Sequence, residues 1–80
     1  MLKDVRLDVY EKNGKGWALV NTITDPARVY ECLASQIRAK YIWKAGSVRR
    51  IEEGPAYTEH GGRRTTVYQD NGIKLEFLTD

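Results

Sequence analysis

The chain has very little of what usually carries chemistry or covalent bracing. Its 80 residues include one cysteine, Cys32, and one histidine, His60. A lone cysteine forms no internal disulfide, which fits a reducing compartment, so a cytoplasmic protein is expected. One cysteine and one histidine cannot supply the four ligands of a structural zinc, and no metal or cofactor is expected. No apolar run approaches the roughly 18 residues of a membrane-spanning helix, and no membrane association is expected. Met1 to Arg6 run straight into alternating charges and lack the apolar stretch of a secretion signal. The seven glycines read as turn residues. Gly61-Gly62-Arg63-Arg64 lacks the Lys-Ser/Thr of a phosphate-cradling loop.

Catalytic groups are correspondingly scarce. His60 sits in the loop sequence Glu59-His60-Gly61-Gly62, with no carboxylate placed to orient it as a general base. Cys32 falls about seven residues into the expected helix, beyond the turn where the dipole lowers a thiol pKa, and reads as a small buried hydrophobe. Glu52 and Glu53 are neighbours on a strand and point to opposite faces, so they do not form a working carboxylate pair. The expectation is a protein without catalytic residues.

At 41% hydrophobic and 30% charged residues, the composition is that of a folded chain, and the length suits one domain spanning residues 1–80. Val5, Leu7 and Val9 alternate with Asp4, Arg6 and Asp8, the period of a half-buried strand. A second strand runs from Trp17 to Ile23, with Asn13-Gly14 between them as a hairpin signal. A two-residue Asn13-Gly14 loop leaves Trp17 and Leu19 on the face of Asp8. A three-residue loop from Lys12 to Gly14 pairs Val9 with Trp17 and Leu7 with Leu19, and this register is expected because it keeps the apolar side chains together. Asp25-Pro26 opens a helix as N-cap and first helical residue. Val29, Tyr30, Leu33, Ala34, Ile37 and Tyr41 share one arc, and Gly46 as the stop puts the helix end between Tyr41 and Ala45.

Strands follow over 47–53, 63–69 and 73–78, the last two joined around Asp70-Asn71-Gly72. Whether Tyr68 or Val67 joins Ile73, Leu75 and Phe77 on the core side depends on the length of that loop. The order reads as β-β-α-β-β, with Ala56 to Glu59 as a candidate extra short strand. The expected class is α+β, an antiparallel sheet with one helix packed across its apolar face.

Charge is the best functional clue. Between Cys32 and Ile51 stand five basic residues, Arg38, Lys40, Lys44, Arg49 and Arg50, and no acidic one, with Tyr41 and Trp43 among them. Since the chain carries only +2 formally, this window of +5 leaves the remainder at −3. Arg38, Lys40 and Lys44 near a helix C-terminus also oppose its dipole, which explains them without a ligand. With Arg63 and Arg64 brought alongside Arg49 and Arg50, the same residues would make a patch for a nucleic-acid backbone. The competing expectation is a protein partner or homodimer, engaged through the sheet face away from the helix or through an open edge. Tyr10, Val20, Tyr68 and Leu78 are the apolar candidates there, with Trp43 at the helix end.

Overall fold

A computed structural model describes residues 5–34, 48–55 and 62–79. They form β1 (Arg6–Asn13), β2 (Gly16–Ile23), α1 (Pro26–Ala34), β3 (Val48–Pro55), β4 (Arg63–Gln69) and β5 (Ile73–Thr79). The five strands make one antiparallel sheet in the order β2-β1-β5-β4-β3. Among the described residues three strands follow the helix, matching the three expected over 47–53, 63–69 and 73–78, so the order is β-β-α-β-β-β rather than the β-β-α-β-β read from the sequence. Both strands of the expected 63–78 hairpin are present, and the candidate extra strand over 56–59 lies outside the described residues. No helix among the described residues is long and apolar enough to cross a membrane.

The helix begins as its sequence dictates. The Asp25 carboxylate accepts a hydrogen bond from the Ala27 amide at 3.1 Å, and the Asp25 carbonyl accepts the first helical bond from Val29 at 3.0 Å. Pro26, which has no amide hydrogen to satisfy, occupies the first turn. The buried stripe is centred on Val29 and Cys32, with Tyr30 and Leu33 packed at its margins and Ala34 exposed. It is thus turned from the expected arc toward Cys32, which behaves as a small hydrophobe. Ile37, Tyr41 and the expected helix end lie outside the described residues.

Val5, Leu7, Val9, Leu75 and Phe77 are buried as expected, joined by Ile23, Val67 and Ile73. Val67 rather than Tyr68 faces the core, because a three-residue Asp70-Asn71-Gly72 loop links β4 to β5 with Gly72 at φ +80°. The expected β1–β2 register does not form. The turn is the two-residue Gly14-Lys15 loop between paired Asn13 and Gly16, with Gly14 at φ +63°, as primed hairpin turns require at their first central position. Lys12 then faces Trp17 and Tyr10 faces Leu19. A register shift between Val9 and Tyr10 restores the phase, so that Leu7 pairs with Ile23. Trp17 is consequently half-buried on the helix-free face, and Leu19 is 56% exposed.

Denaturant unfolding separates these environments. Phe77→Ala is expected to cost about 3–5 kcal/mol, most of a small domain's stability. Leu19→Ala should stay within about 0.5 kcal/mol, as surface changes do. A comparable loss from both would contradict the observed register.

Candidate functional site

The face without the helix is built in rows, because cross-strand partners in an antiparallel sheet share a face. Arg6, Leu78, Arg64 and Gly54 are successive partners in one row. Thr22, Asp8, Glu76, Thr66 and Glu52 form the next. Leu19, Tyr10, Lys74, Tyr68 and Arg50 form the third. A basic row, an acidic row and an aromatic–basic row therefore lie side by side. Asp8 is buried among them: Arg6 Nε donates to it at 3.0 Å and Thr22 Oγ1 at 2.9 Å.

The third row carries a connected aromatic–cation cluster. Lys74 Nζ lies 4.6 Å from the Tyr10 ring centroid and 4.9 Å from that of Trp17. The Trp17 and Tyr68 rings are 6.1 Å apart and tilted by 60°. Arg50 caps the Tyr68 ring at 4.3 Å, and Lys12 Nζ sits 5.8 Å from the Trp17 ring. Trp17 and Tyr68 stem from strands three positions apart, about 14 Å at sheet spacing, so their rings meet above β1 and β5. Offset aromatic pairs and cation–π contacts each add about 0.5–1.5 kcal/mol.

At one end of this cluster lies an open cleft of about 640 Å³, lined by Lys12, Trp17, Arg49, Arg50, Tyr68 and Gln69 above the Asp70 and Gly72 turn. The Lys12 amide donates to the Gly72 carbonyl at 2.8 Å and so ties the turn to β1. Gln69 is only 5% exposed, and its Oε1 has no hydrogen-bond partner. Two residues on from Val67, its side chain turns to the core face beside Val48, so Gln69 borders the cleft without presenting this oxygen to it.

The sequence-derived basic residues fare differently. Arg38, Lys40 and Lys44 lie outside the described residues, as do Trp43 and His60. Arg49 is exposed at a register break between Val48 and Arg50, and it lines the cleft. Arg50 Nε donates to Glu52 at 3.3 Å, and the same carboxylate accepts the Tyr68 hydroxyl at 3.2 Å. Arg63 and Arg64 pair with Pro55 and Gly54 at the far end of β3, roughly 13 Å along the strand from Arg50. The four arginines therefore form no single patch, and Arg63 faces Glu53 at 3.9 Å. Of the apolar candidates, Tyr10 and Tyr68 belong to the cluster and Val20 is exposed at 48%, while Leu78 is only 8% exposed and offers little to a ligand.

Lys12, Trp17, Lys74 and Gln69 were missed by sequence reasoning. The signal for Trp17 was the alternative two-residue loop, which sends Trp17 and Leu19 to the face of Asp8. Among the described residues, no group of three histidine, cysteine or acidic side chains is placed to hold a metal. No family model, curated protein or solved structure matches this chain.

Burial raises the pKa of the Cys32 thiol, with Arg28 opposing the shift and Glu31 adding to it. At neutral pH the thiol should label with a disulfide reagent far more slowly than in the urea-unfolded chain. Burial first, then the charges of Glu76 and Asp8, raise the pKa of Tyr10 above 10.0. The folded state thus holds this proton more tightly than the unfolded chain does. That contribution is fully present below the unfolded value and is lost as pH rises through the folded one. Tyr10→Phe should flatten the fall in stability above about pH 10, measured by urea titration, and an unchanged alkaline limb would contradict the assignment.

Proposed function

We propose that this chain is a non-enzymatic interaction module that takes a protein partner, or a second copy of itself, through the open edges of its sheet. One observation carries the reading. The large apolar side chains exposed among the described residues are Leu19 and Val20 on β2 and Ile51 on β3, the two outer strands. An outer strand offers unpaired amides and carbonyls, and natural edges are usually defended by charge or proline. Leu19 and Val20 stand instead where an added strand would bury them, and strand addition combines backbone bonds with such side-chain contacts.

Sedimentation measures the self-association arm directly, and capture by an immobilised partner measures the other. Leu19→Lys and Ile51→Lys put a charge on each edge in turn and should abolish association at whichever edge is used, with the unfolding midpoint little changed. Association unaffected by both variants would remove the edge reading.

The second reading is a nucleic-acid backbone partner, favoured by Arg49 and Arg50 beside the Tyr68 ring. It draws on the basic residues from Arg38 to Arg50 and, separately, on Arg63 and Arg64. Here duplex affinity should fall steeply with salt, with a logarithmic slope near −0.9 for each phosphate neutralised. Replacing Arg49 and Arg50 with glutamine should flatten that slope by about two such units.

A further inference from the structure

We propose that the outer edge of β3 joins the same edge of a second copy of this chain, antiparallel and with Ile51 on the two-fold axis, so that two five-stranded sheets become one. The proposal rests on the edge reading above and narrows it to one edge and one occupant. Among the described residues no strand pairs with the outer side of β3, which leaves alternate amides and carbonyls for an added strand.

The order of charge along β3 selects the occupant. Arg49 and Arg50 precede Ile51, and Glu52 and Glu53 follow it, so the strand is its own charge complement when reversed. An antiparallel copy centred on Ile51 sets Arg50 of each chain opposite Glu52 of the other, with the Ile51 side chains against one another. A slip of one residue sets a charge against Ile51 and mixes the faces. A slip of two sets Arg50 against Arg50 or Glu52 against Glu52, and a parallel copy in register stacks like on like. Cross-strand partners share a face, so the charges meet on the helix-free side and the isoleucines on the other. Within one chain Arg50 Nε already donates to Glu52 at 3.3 Å, and both side chains are more than half exposed. A second copy extends this pair into a ring of alternating charges and covers Ile51, which is 42% exposed. Arg49, set out of row at the register break, is not needed for it. Pro55, which has no amide to give, ends the ladder. Edge charges ordinarily discourage an added strand, but these favour one with the reverse order, and the chain's own copy has it. Strand β2 offers no such selection, since it carries no charged residue from Gly16 to Ile23.

The test is sedimentation of the whole chain with charges exchanged across the edge. The parent is expected to dimerise at or below millimolar concentration. Arg50→Glu and Glu52→Arg, each alone, set like charges opposite one another and should weaken the dimer by about 10- to 100-fold. Mixing the two variants restores opposite charges, so the heterodimer should form within about 3-fold of the parent affinity. Both positions are exposed, and the unfolding midpoints should stay close to the parent's. Under oxidised glutathione, Ile51→Cys should cross-link to its own copy faster than Glu53→Cys, because residue 51 meets itself and residue 53 does not. Recovery in the mixture supports the pairing, since neither a merely defended edge nor association through β2 would give it. A chain that stays monomeric at millimolar concentration, single variants that associate like the parent, no recovery in the mixture, or faster cross-linking at 53 would each overturn the proposal. Dimerisation lost with Leu19→Lys and kept with Ile51→Lys would overturn it and leave the edge reading standing on β2. Dimerisation indifferent to both would end the proposal and the edge reading together.

Discussion

The pairing of β1 with β5 is the constraint on which both faces depend. Leu7 opposite Phe77 and Val9 opposite Leu75 put four fully buried side chains side by side at the centre of the sheet. The two strands are the first and last in the element order, so joining them closes the longest loop in the sheet and carries its largest entropic cost. Burial of about 1.5–3 kcal/mol per large apolar side chain is what offsets that cost. Once the centre is fixed, β2 and β4 each pair with one of its strands, and the pleat decides the other face automatically. Tyr10 and Lys74 stand opposite one another on the helix-free side because Val9 and Leu75 stand opposite one another on the core side.

Strand spans, the helix start and most of the core were legible because each rests on local pattern: alternation in β1 and β5, Asp25-Pro26 at the cap, glycine at the turns. The position of Trp17 was not. Hydrophobic patterning favoured the register that buries Trp17 and Leu19, but the turn chose otherwise, since Gly14 takes a left-handed φ in a two-residue loop. A strict period of two then predicts Ile23 on the wrong face, and the register shift at Val9/Tyr10 corrects it. A bulge adds one residue without any compositional mark, so the same eight residues of β2 serve two faces. Trp17 belongs to the aromatic cluster before the bulge and Ile23 to the core after it.

The charge clue was legible in number and misleading in arrangement. Counting found five cations without an acid in one window, but strand pairing decides which charges meet. Arg50 and Arg63 each lie beside a glutamate from β3 itself, Glu52 and Glu53. On the helix-free face, the Asp8–Glu76 cross-strand pair would be unfavourable alone. Arg6 and Thr22 hold Asp8, and cationic rows border the acidic one on both sides. A sheet face striped in this way keeps its long-range field small. Any anion it attracts must be caught where a cation lies free of the acidic row, and Arg49 at the register break is such a place.

The two irregularities in the sheet therefore do related work at one end of it. The two-residue β1–β2 turn sets Trp17 on the helix-free face, the register shift then returns Ile23 to the core, and the break between Val48 and Arg50 sets Arg49 out of the regular row of β3. Bulges commonly re-aim side chains beside functional sites, and here the re-aimed Arg49 lines the same cleft as the turn-placed Trp17. The Asp70–Gly72 loop completes it, because Gly72 adopts φ +80° and its carbonyl accepts the Lys12 amide. A side chain at position 72 would be strained in that conformation. Its methyl group would also come within 3.7 Å of Lys12 Cβ, ordinary contact that adds no relief. Regular pairing supplies the stability of this domain, and the departures from it, concentrated at one end, supply the surface that distinguishes it from a plain sheet.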